Sequence, residues 1–174
     1  MLDILHQEHI HISKLMDVLE EQIRLLQENG DADLRLIAEI AEYIMNYPDI
    51  YHHPKEDLIF ELLRRKDDEI VPVIDQLISE HKTMAEMAIT LSGLLGNSLT
   101  KESPELLVEQ LQRYIGLTRT HMNVEENILF PRAKQLLTDD DWAETDAGFT
   151  SQGDPLLGDV IHKQYRNIYN SIIN

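Results

Sequence analysis

The chain of 174 residues contains no cysteine, which excludes a disulfide framework, an iron–sulfur cluster, a thiolate zinc site and a Cys-x-x-Cys-His haem attachment. Any metal must be held by nitrogen and oxygen. Basic residues are scarce: 15 Lys and Arg against 32 Asp and Glu leave a formal charge of −17. That balance argues against nucleic acid as a partner, because the phosphate backbone is gripped by clustered cations that release counterions. An anionic membrane surface is disfavoured for the same reason. No apolar run approaches the roughly 20 residues of a membrane span. The start, Met1-Leu2-Asp3-Ile4-Leu5-His6-Gln7-Glu8-His9, has no basic segment, apolar stretch or small-residue cleavage site. A secretory signal is therefore not expected, and the default location is cytoplasmic. Glycine and proline are also few, 7 and 6 against 43% apolar residues, which is the composition of a helical globule. The length suits one domain with a single core.

What the chain does have is four long helical patterns. The first runs from about Leu2 to Glu28, with Ile12, Leu15, Met16, Leu19, Ile23 and Leu26 recurring at three and four, and Asn29-Gly30 ends it. The second begins at Asp31 to Asp33 and carries Leu36, Ile37, Ile40, Tyr43, Ile44 and Tyr47. It resumes through Leu58, Ile59, Leu62 and Leu63 after Pro48 and Pro54. A proline removes a donor and crowds the preceding turn, so a kink or short break is expected between Asn46 and Pro54. The third spans roughly Glu69 to Leu95 and ends around Gly96-Asn97. The fourth opens on Ser103-Pro104-Glu105, a cap followed by proline at the first helical position, and continues to about Leu137. Beyond it, Thr138-Asp139-Asp140-Asp141-Trp142 reads as a capped short helix, Phe149 to Asp159 as a loop, and Asp159 to Ile172 as a last amphipathic helix. Four long helices with short connections are antiparallel neighbours. The expected architecture is all-α: an up-down-up-down four-helix bundle over residues 1–137, with residues 138–174 as a C-terminal helical extension packed on the same domain.

The eight histidines are not scattered. Glu8-His9 followed by Ile12 and Met16 matches Glu80-His81 followed by Met84 and Ala88. His52-His53-Pro54-Lys55-Glu56-Asp57-Leu58-Ile59-Phe60 matches His121-Met122-Asn123-Val124-Glu125-Glu126-Asn127-Ile128-Leu129-Phe130. The order is a helix with one His, a helix with His-x-x-x-Glu, then both again. Positions i and i+4 lie one turn apart on one side of a helix, so His52 with Glu56, and His121 with Glu125, can grip an ion together. The first pair continues into Ile59 and Leu63 and the second into Ile128 and Leu129, so both are expected to point inward. His9 shares a face with Ile12, Ser13 and Met16, and His81 with Met84 and Ala88. Four imidazoles and two carboxylates would thus meet in an apolar interior, where unpaired carboxylates cost several kcal/mol or take a proton. One or two dications remove that frustration. Imidazole with carboxylate, no sulfur and open positions suits iron, with manganese or zinc as substitutes.

The run His…His-x-x-x-Glu…His…His-x-x-x-Glu resembles the bacterial hemerythrin-like, or HHE cation-binding, proteins. The wording around Glu8-His9, His52 to Asp57 and Glu125 to Pro131 carries the likeness, which covers about residues 1 to 137; Asp154-Pro155-Leu156-Leu157-Gly158 is similar to the tail of some members. The resemblance implies a four-helix bundle with a non-haem di-iron centre for O₂ or related diatomics, with His9, His52, Glu56, His81, His121 and Glu125 as ligands. The oxygen carriers of invertebrates use a fifth His one turn from the third-helix His. Here the flanking residues are Leu77 and Ala85, which cannot ligate. That departure points away from reversible O₂ storage and toward a more open, labile iron pair, of the kind associated with oxygen, iron or nitric-oxide responses, iron–sulfur repair or peroxide chemistry.

Two alternatives stay open at this level. His53 with Asp57 is a second i,i+4 pair, about 100° around the helix. His52 is preferred because Glu56, Ile59 and Leu63 keep its face apolar, whereas His53 leads through Asp57 to Arg64. His6, one turn before His9, could replace it. His11 should face outward, and His162 has no acidic partner four residues on. Tyr114 shares the stripe of His121 and reads as a core aromatic, the alternative being a hydrogen bond to a ligand; Tyr47 and Tyr51 are similarly placed by the proline break. Met16, Met84 and Met87 read as core filler. Three functions compete: a di-iron protein that binds or senses O₂ or NO or hands over iron, a di-iron oxidoreductase acting on peroxide or O₂ or in iron–sulfur repair, and a metal-free helical interaction module. The last leaves the buried donor set without a partner. No flavin or nucleotide motif, phosphate loop or nucleophile with a base marks an organic substrate.

Overall fold

The structure, a computed structural model, describes residues 1–28, 31–98, 104–147, 156 and 163–173. Every regular element among them is helical. Helix α1 spans Leu2–Glu28, and its buried positions Leu5, His9, Ile12, Leu15, Met16, Leu19 and Ile23 follow the three-and-four spacing of one inward stripe. Helix α2 spans Leu34–Asn46 and is capped by Asp33, whose carboxylate accepts from the Leu36 N–H at 3.0 Å.

The interruption expected between Asn46 and Pro54 is a π-turn. Pro48 has no N–H for the preceding turn, and over Pro48–His52 the ladder widens until the His53 N–H reaches the Pro48 carbonyl, five residues back. Helix α3, His53–Arg64, then resumes the run. A 3₁₀ turn at Asp68–Ile70 leads into α4, Val71–Ser98. Helix α5, Pro104–Val124, passes through a second π-turn, Glu125–Leu129, into α6, Phe130–Leu136. The caps expected at Asn29-Gly30 and Ser103 lie outside the described residues.

Helix α7, Asp139–Ala147, opens on a reciprocal cap: Thr138 donates from its N–H to Asp141 at 2.7 Å, and the Asp141 N–H returns to the Thr138 hydroxyl at 3.4 Å. Most of the expected loop from Phe149 to Asp159 lies outside the described residues. The last helix is a 3₁₀ turn at Lys163–Tyr165 followed by α8, Arg166–Ile173. Helix α7 packs on α3, tied by Lys66–Asp141 at 2.7 Å, and α8 packs on α1 and α2, where Tyr165 meets the Tyr43 ring edge-on at 5.3 Å.

Among the long helices, α2 lies against α4, α4 against α5, and α5 against α1. The buried apolar side chains divide into two clusters. One holds Leu15, Met16, Leu19, Ile37, Ile40, Met84, Leu91, Leu111 and Tyr114. The other holds Leu5, Ile59, Phe60, Leu63, Ile74, Leu77, Leu129 and Ala133. Each fully buried side chain of this size contributes about 1.5–3 kcal/mol relative to exposure. Along α1 the chain passes from the second cluster to the first; along α2 and α3 it returns; α4 repeats the first direction, and α5 with α6 the second. In all four passes a buried histidine falls at the seam between the clusters.

One inward expectation is corrected. Ile128 is 45% exposed, whereas Leu129 and Phe130 are buried. The extra residue of the π-turn at Glu125–Leu129 rotates the rest of the helix about its axis, so uniform helical spacing from His121 puts Ile128 on the wrong face.

Candidate metal centre

The structure brings all six expected donors to that seam. His9 comes from α1, His52 from the end of the first π-turn, Glu56 from α3, His81 from α4, His121 from α5 and Glu125 from the start of the second π-turn. Each helix that must deliver both an imidazole and a carboxylate carries a π-turn at that place. All six side chains are buried, and both glutamates have no solvent exposure.

Two groups of donor atoms form. Glu56, His81, His121 and Glu125 bring one atom each within ligating reach of one another, and so do His9, His52 and Glu56. Glu56 belongs to both. Its Oε1 lies 3.1 Å from His9 Nε2 and 3.3 Å from His52 Nε2, and its Oε2 lies 3.5 Å from His81 Nε2. Glu125 also reaches across, 3.1 Å from His121 Nε2 and 3.4 Å from His9 Nε2. Two carboxylates thus lie between two pairs of imidazoles.

The other nitrogen of each imidazole fixes which lone pair points inward. His9 Nδ1 donates to Glu126 at 2.8 Å, His52 Nδ1 to Glu8 at 2.7 Å, His81 Nδ1 to Asp57 at 3.1 Å, and His121 Nδ1 to Glu80 at 2.8 Å. A carboxylate only accepts, so each Nδ1 carries a hydrogen; His9 Nε2 also donates to Glu56 Oε1 at 3.1 Å, and all four Nε2 atoms face the interior, where an ion taking the place of their protons would meet lone pairs. His81 Nε2 and His121 Nε2 lie 3.0 Å apart, within hydrogen-bond distance of each other.

These four acids follow a rule. Glu8 and Glu80 stand immediately before His9 and His81, Asp57 and Glu126 immediately after Glu56 and Glu125, and each serves the imidazole of the next helix along the chain, with Glu126 closing the ring onto His9. The sequence repeat, in which Glu8-His9 recurs as Glu80-His81, carries the signal for these acids, but spacing along one helix does not disclose a role on another.

The buried oxygens Glu56 Oε2, Glu125 Oε1 and Glu125 Oε2 make no hydrogen bond among the described residues, although imidazole nitrogens stand beside them. Orphaned buried carboxylate oxygens beside imidazole nitrogens are what a cation would satisfy. With protons in that role instead, burial pushes the His9 imidazole down, but Glu125 and Glu56 outweigh it and hold it at about 11. His81 is held at about 11 against burial by Asp57, Glu125 and Glu56. Glu125, though buried and beside Glu56, is drawn down to about 2 by His121, His81 and His9. The donor set therefore binds positive charge strongly, and its chemistry fits a metal.

The alternatives sort themselves by contact. His6 is exposed and only shares Glu126, 3.0 Å from its Nδ1. His53 is buried but leaves Asp57 to His81; its Nδ1 lies 3.3 Å from Asp49, and its ring stacks on His81 at 4.2 Å. Burial lowers its basicity, so it packs as a neutral ring. His81 is thus held between His53 and Phe60, and His9 stacks on Phe130 at 5.4 Å. His11 is half-buried and in neither donor group, and His162 lies outside the described residues.

Tyr114 lines a small apolar cavity of about 10 Å³ with His52, His53, His121, Met84 and Thr118. Burial raises its phenol well above the usual range. The tyrosine bonded into the donor network is Tyr47, whose hydroxyl donates to Glu8 at 2.8 Å. Lys55, buried and paired with the same carboxylate, lies inside the His52 to Asp57 run, but helical spacing alone gives no reason for its burial. Despite its burial, Glu8 is held at about 2 by His52 and Lys55.

A helical chain that gathers imidazoles and carboxylates, without sulfur, around a buried seam belongs among the nitrogen-and-oxygen metal-binding helical proteins. The Hemerythrin HHE cation binding domain family matches residues 1–133, and the chain belongs to that family. No curated protein and no solved structure matches it significantly. Among the described residues no helix is long and apolar enough to cross a membrane.

Proposed function

We propose that this protein is a non-haem di-iron protein that binds or senses O₂ or NO, or handles iron, through His9, His52, Glu56, His81, His121 and Glu125. The observation that carries the reading is the convergence of four imidazole Nε2 atoms on the two glutamates, three of whose four buried oxygens lack a hydrogen bond among the described residues. In this reading His9 and His52 hold one ion, His81 and His121 the other, and Glu56 and Glu125 bridge them. Iron suits imidazole and carboxylate with open positions; manganese and zinc are the substitutes. When bound, the metal pair supplies redox chemistry and open positions for a diatomic or a peroxide.

The chain's own residues do the rest. Glu8, Asp57, Glu80 and Glu126 hold each imidazole in one tautomer. Phe60, Phe130 and His53 clamp the rings. Leu77, fully buried in the apolar cluster, supplies no donor one turn from His81, which supports an open centre and weighs against an oxygen store. The alternation of the four passes between the two clusters supports an antiparallel up-down-up-down bundle over residues 1–137, with 138–174 packed on it as an extension. We place the protein in the cytoplasm, without nucleic-acid or membrane partners.

Iron analysis with anaerobic and aerated absorption spectra tests this reading. Two irons per chain with oxo-bridged bands in the near ultraviolet are expected, and absence of stoichiometric metal overturns it. Steady-state turnover of H₂O₂ would favour the oxidoreductase alternative, and tight O₂ or NO adducts without turnover the binder.

A further inference from the structure

Glu8 faces two ways. One oxygen holds His52, and the other accepts from Tyr47 at 2.8 Å and from Lys55. From Tyr47 the aromatic contacts run on. Its ring stacks on Tyr43 at 5.8 Å between centroids and tilts against Tyr51 at 5.7 Å, and Tyr43 meets Tyr165 at 5.3 Å. Four of the six tyrosines of the chain thus form one series. It begins one hydrogen-bonded carboxylate away from an imidazole of the centre. It ends at the half-buried Tyr51 on one side and beneath α8 on the other.

Packing alone does not explain the series. Leucine or phenylalanine would fill the same apolar space, and three of the four phenols, Tyr43, Tyr47 and Tyr165, are buried where a hydroxyl needs a partner. Phenols, unlike those side chains, lose an electron readily once their proton has somewhere to go. Tyr47 has such an acceptor in Glu8. Contacts of this closeness between aromatic rings suit rapid one-electron transfer.

We propose that Tyr47 and Tyr51, with Tyr43 and Tyr165 packed along the same series, form a redox relay that carries oxidising equivalents from the metal centre to the protein surface when the oxidant is a peroxide. The relay rests on the di-iron reading above. In each event Tyr47 gives one electron inward and passes its phenolic proton along the 2.8 Å hydrogen bond to Glu8. Tyr51 then returns an electron to Tyr47, which recovers its proton from Glu8. The proton lost by Tyr51 goes to solvent. Two such losses balance one peroxide: H₂O₂ and two phenols give two waters and two phenoxyl radicals. A small-molecule reductant such as ascorbate restores the phenols from the surface.

The test is freeze-quench electron paramagnetic resonance on the iron-loaded full chain after addition of H₂O₂, with iron content measured on the same samples. A tyrosyl radical is expected in the parent protein and its loss in Tyr47→Phe. Retention is expected in Tyr114→Phe, whose phenol lines the cavity beside His52 and His121 but stands outside the series. In Tyr51→Phe the radical should form and its removal by ascorbate should slow. The Tyr43→Phe/Tyr51→Phe pair leaves the Glu8 contact intact should Tyr47→Phe misfold; it should show one hydrogen-bonded phenoxyl in place of a mixed signal. Iron-loaded protein with no radical, a radical kept in Tyr47→Phe but lost in Tyr114→Phe, or an unchanged signal in the pair overturns the relay alone. Protein that takes up no iron overturns the di-iron reading and the relay with it.

Discussion

Glu8 Oε2 lies 2.7 Å from His52 Nδ1, although the two residues stand on different helices and 44 positions apart. Glu8 is also the most enclosed acid of the ring: its side chain is 7% exposed, against 16% for Glu80, 29% for Glu126 and 44% for Asp57. Conversion to Gln is expected to weaken metal binding on the order of 10–100-fold at Glu8 or Glu80, and least at Asp57, where solvent can take over. Competition with a chromophoric chelator measures this; equal losses at Glu8 and Asp57 would contradict the role of enclosure.

Lys55 gives Glu8 a second consequence. Glu8→Gln removes the carboxylate from a buried ammonium, a change that costs about 3–5 kcal/mol when one partner of a buried pair is lost. Adding Lys55→Met should restore most of the thermal stability and none of the metal affinity. Melting curves and chelator titrations on the same variants separate the two effects.

Glu56 is common to both donor groups, whereas His11 belongs to neither. Glu56→Ala should therefore lose both ions and Glu125→Ala at least one. His11→Ala should retain both. Metal stoichiometry after gel filtration reads this directly, and a His11 variant as depleted as Glu125→Ala would mean that the helix phases are wrong.

Protons and metal compete for the same lone pairs, which sets the pH response. In metal-free protein His9 and His81 rise from 6.5 to about 11, so their contribution to stability is complete below about pH 6.5 and is lost as pH climbs toward 11. Glu8, lowered from 4.5 to about 2, contributes above 4.5 and loses its contribution as pH falls toward 2. Metal uptake at neutral pH should release protons and tighten with rising pH, giving the loaded protein the opposite slope above pH 6.5. Urea midpoints against pH, with and without added metal, check the reversal.

The helices and the six inward donors are legible because each rests on local spacing: apolar residues at three and four, and His-x-x-x-Glu at one turn. What spacing cannot show is any departure from it. Pro48 signals a disturbance but not a π-turn, and Pro131, just past the second one, signals no more, so regular spacing turns Ile128 to the wrong face. The carboxylate ring is invisible for another reason. Glu8 and Glu80 sit a single residue from a donor on their own helix, and only the packing of neighbouring helices shows that they serve a different one. Lys55 likewise gives no sign of its burial until Glu8 is brought over it.

A ring that passes from each helix to the next and back to the first has no loose end. Detaching any one helix severs two imidazole–carboxylate links at once, so partial opening gains little over complete opening. The loaded protein should accordingly lose its metal and its structure in a single transition, with hydrogen exchange at the four seams slowed together.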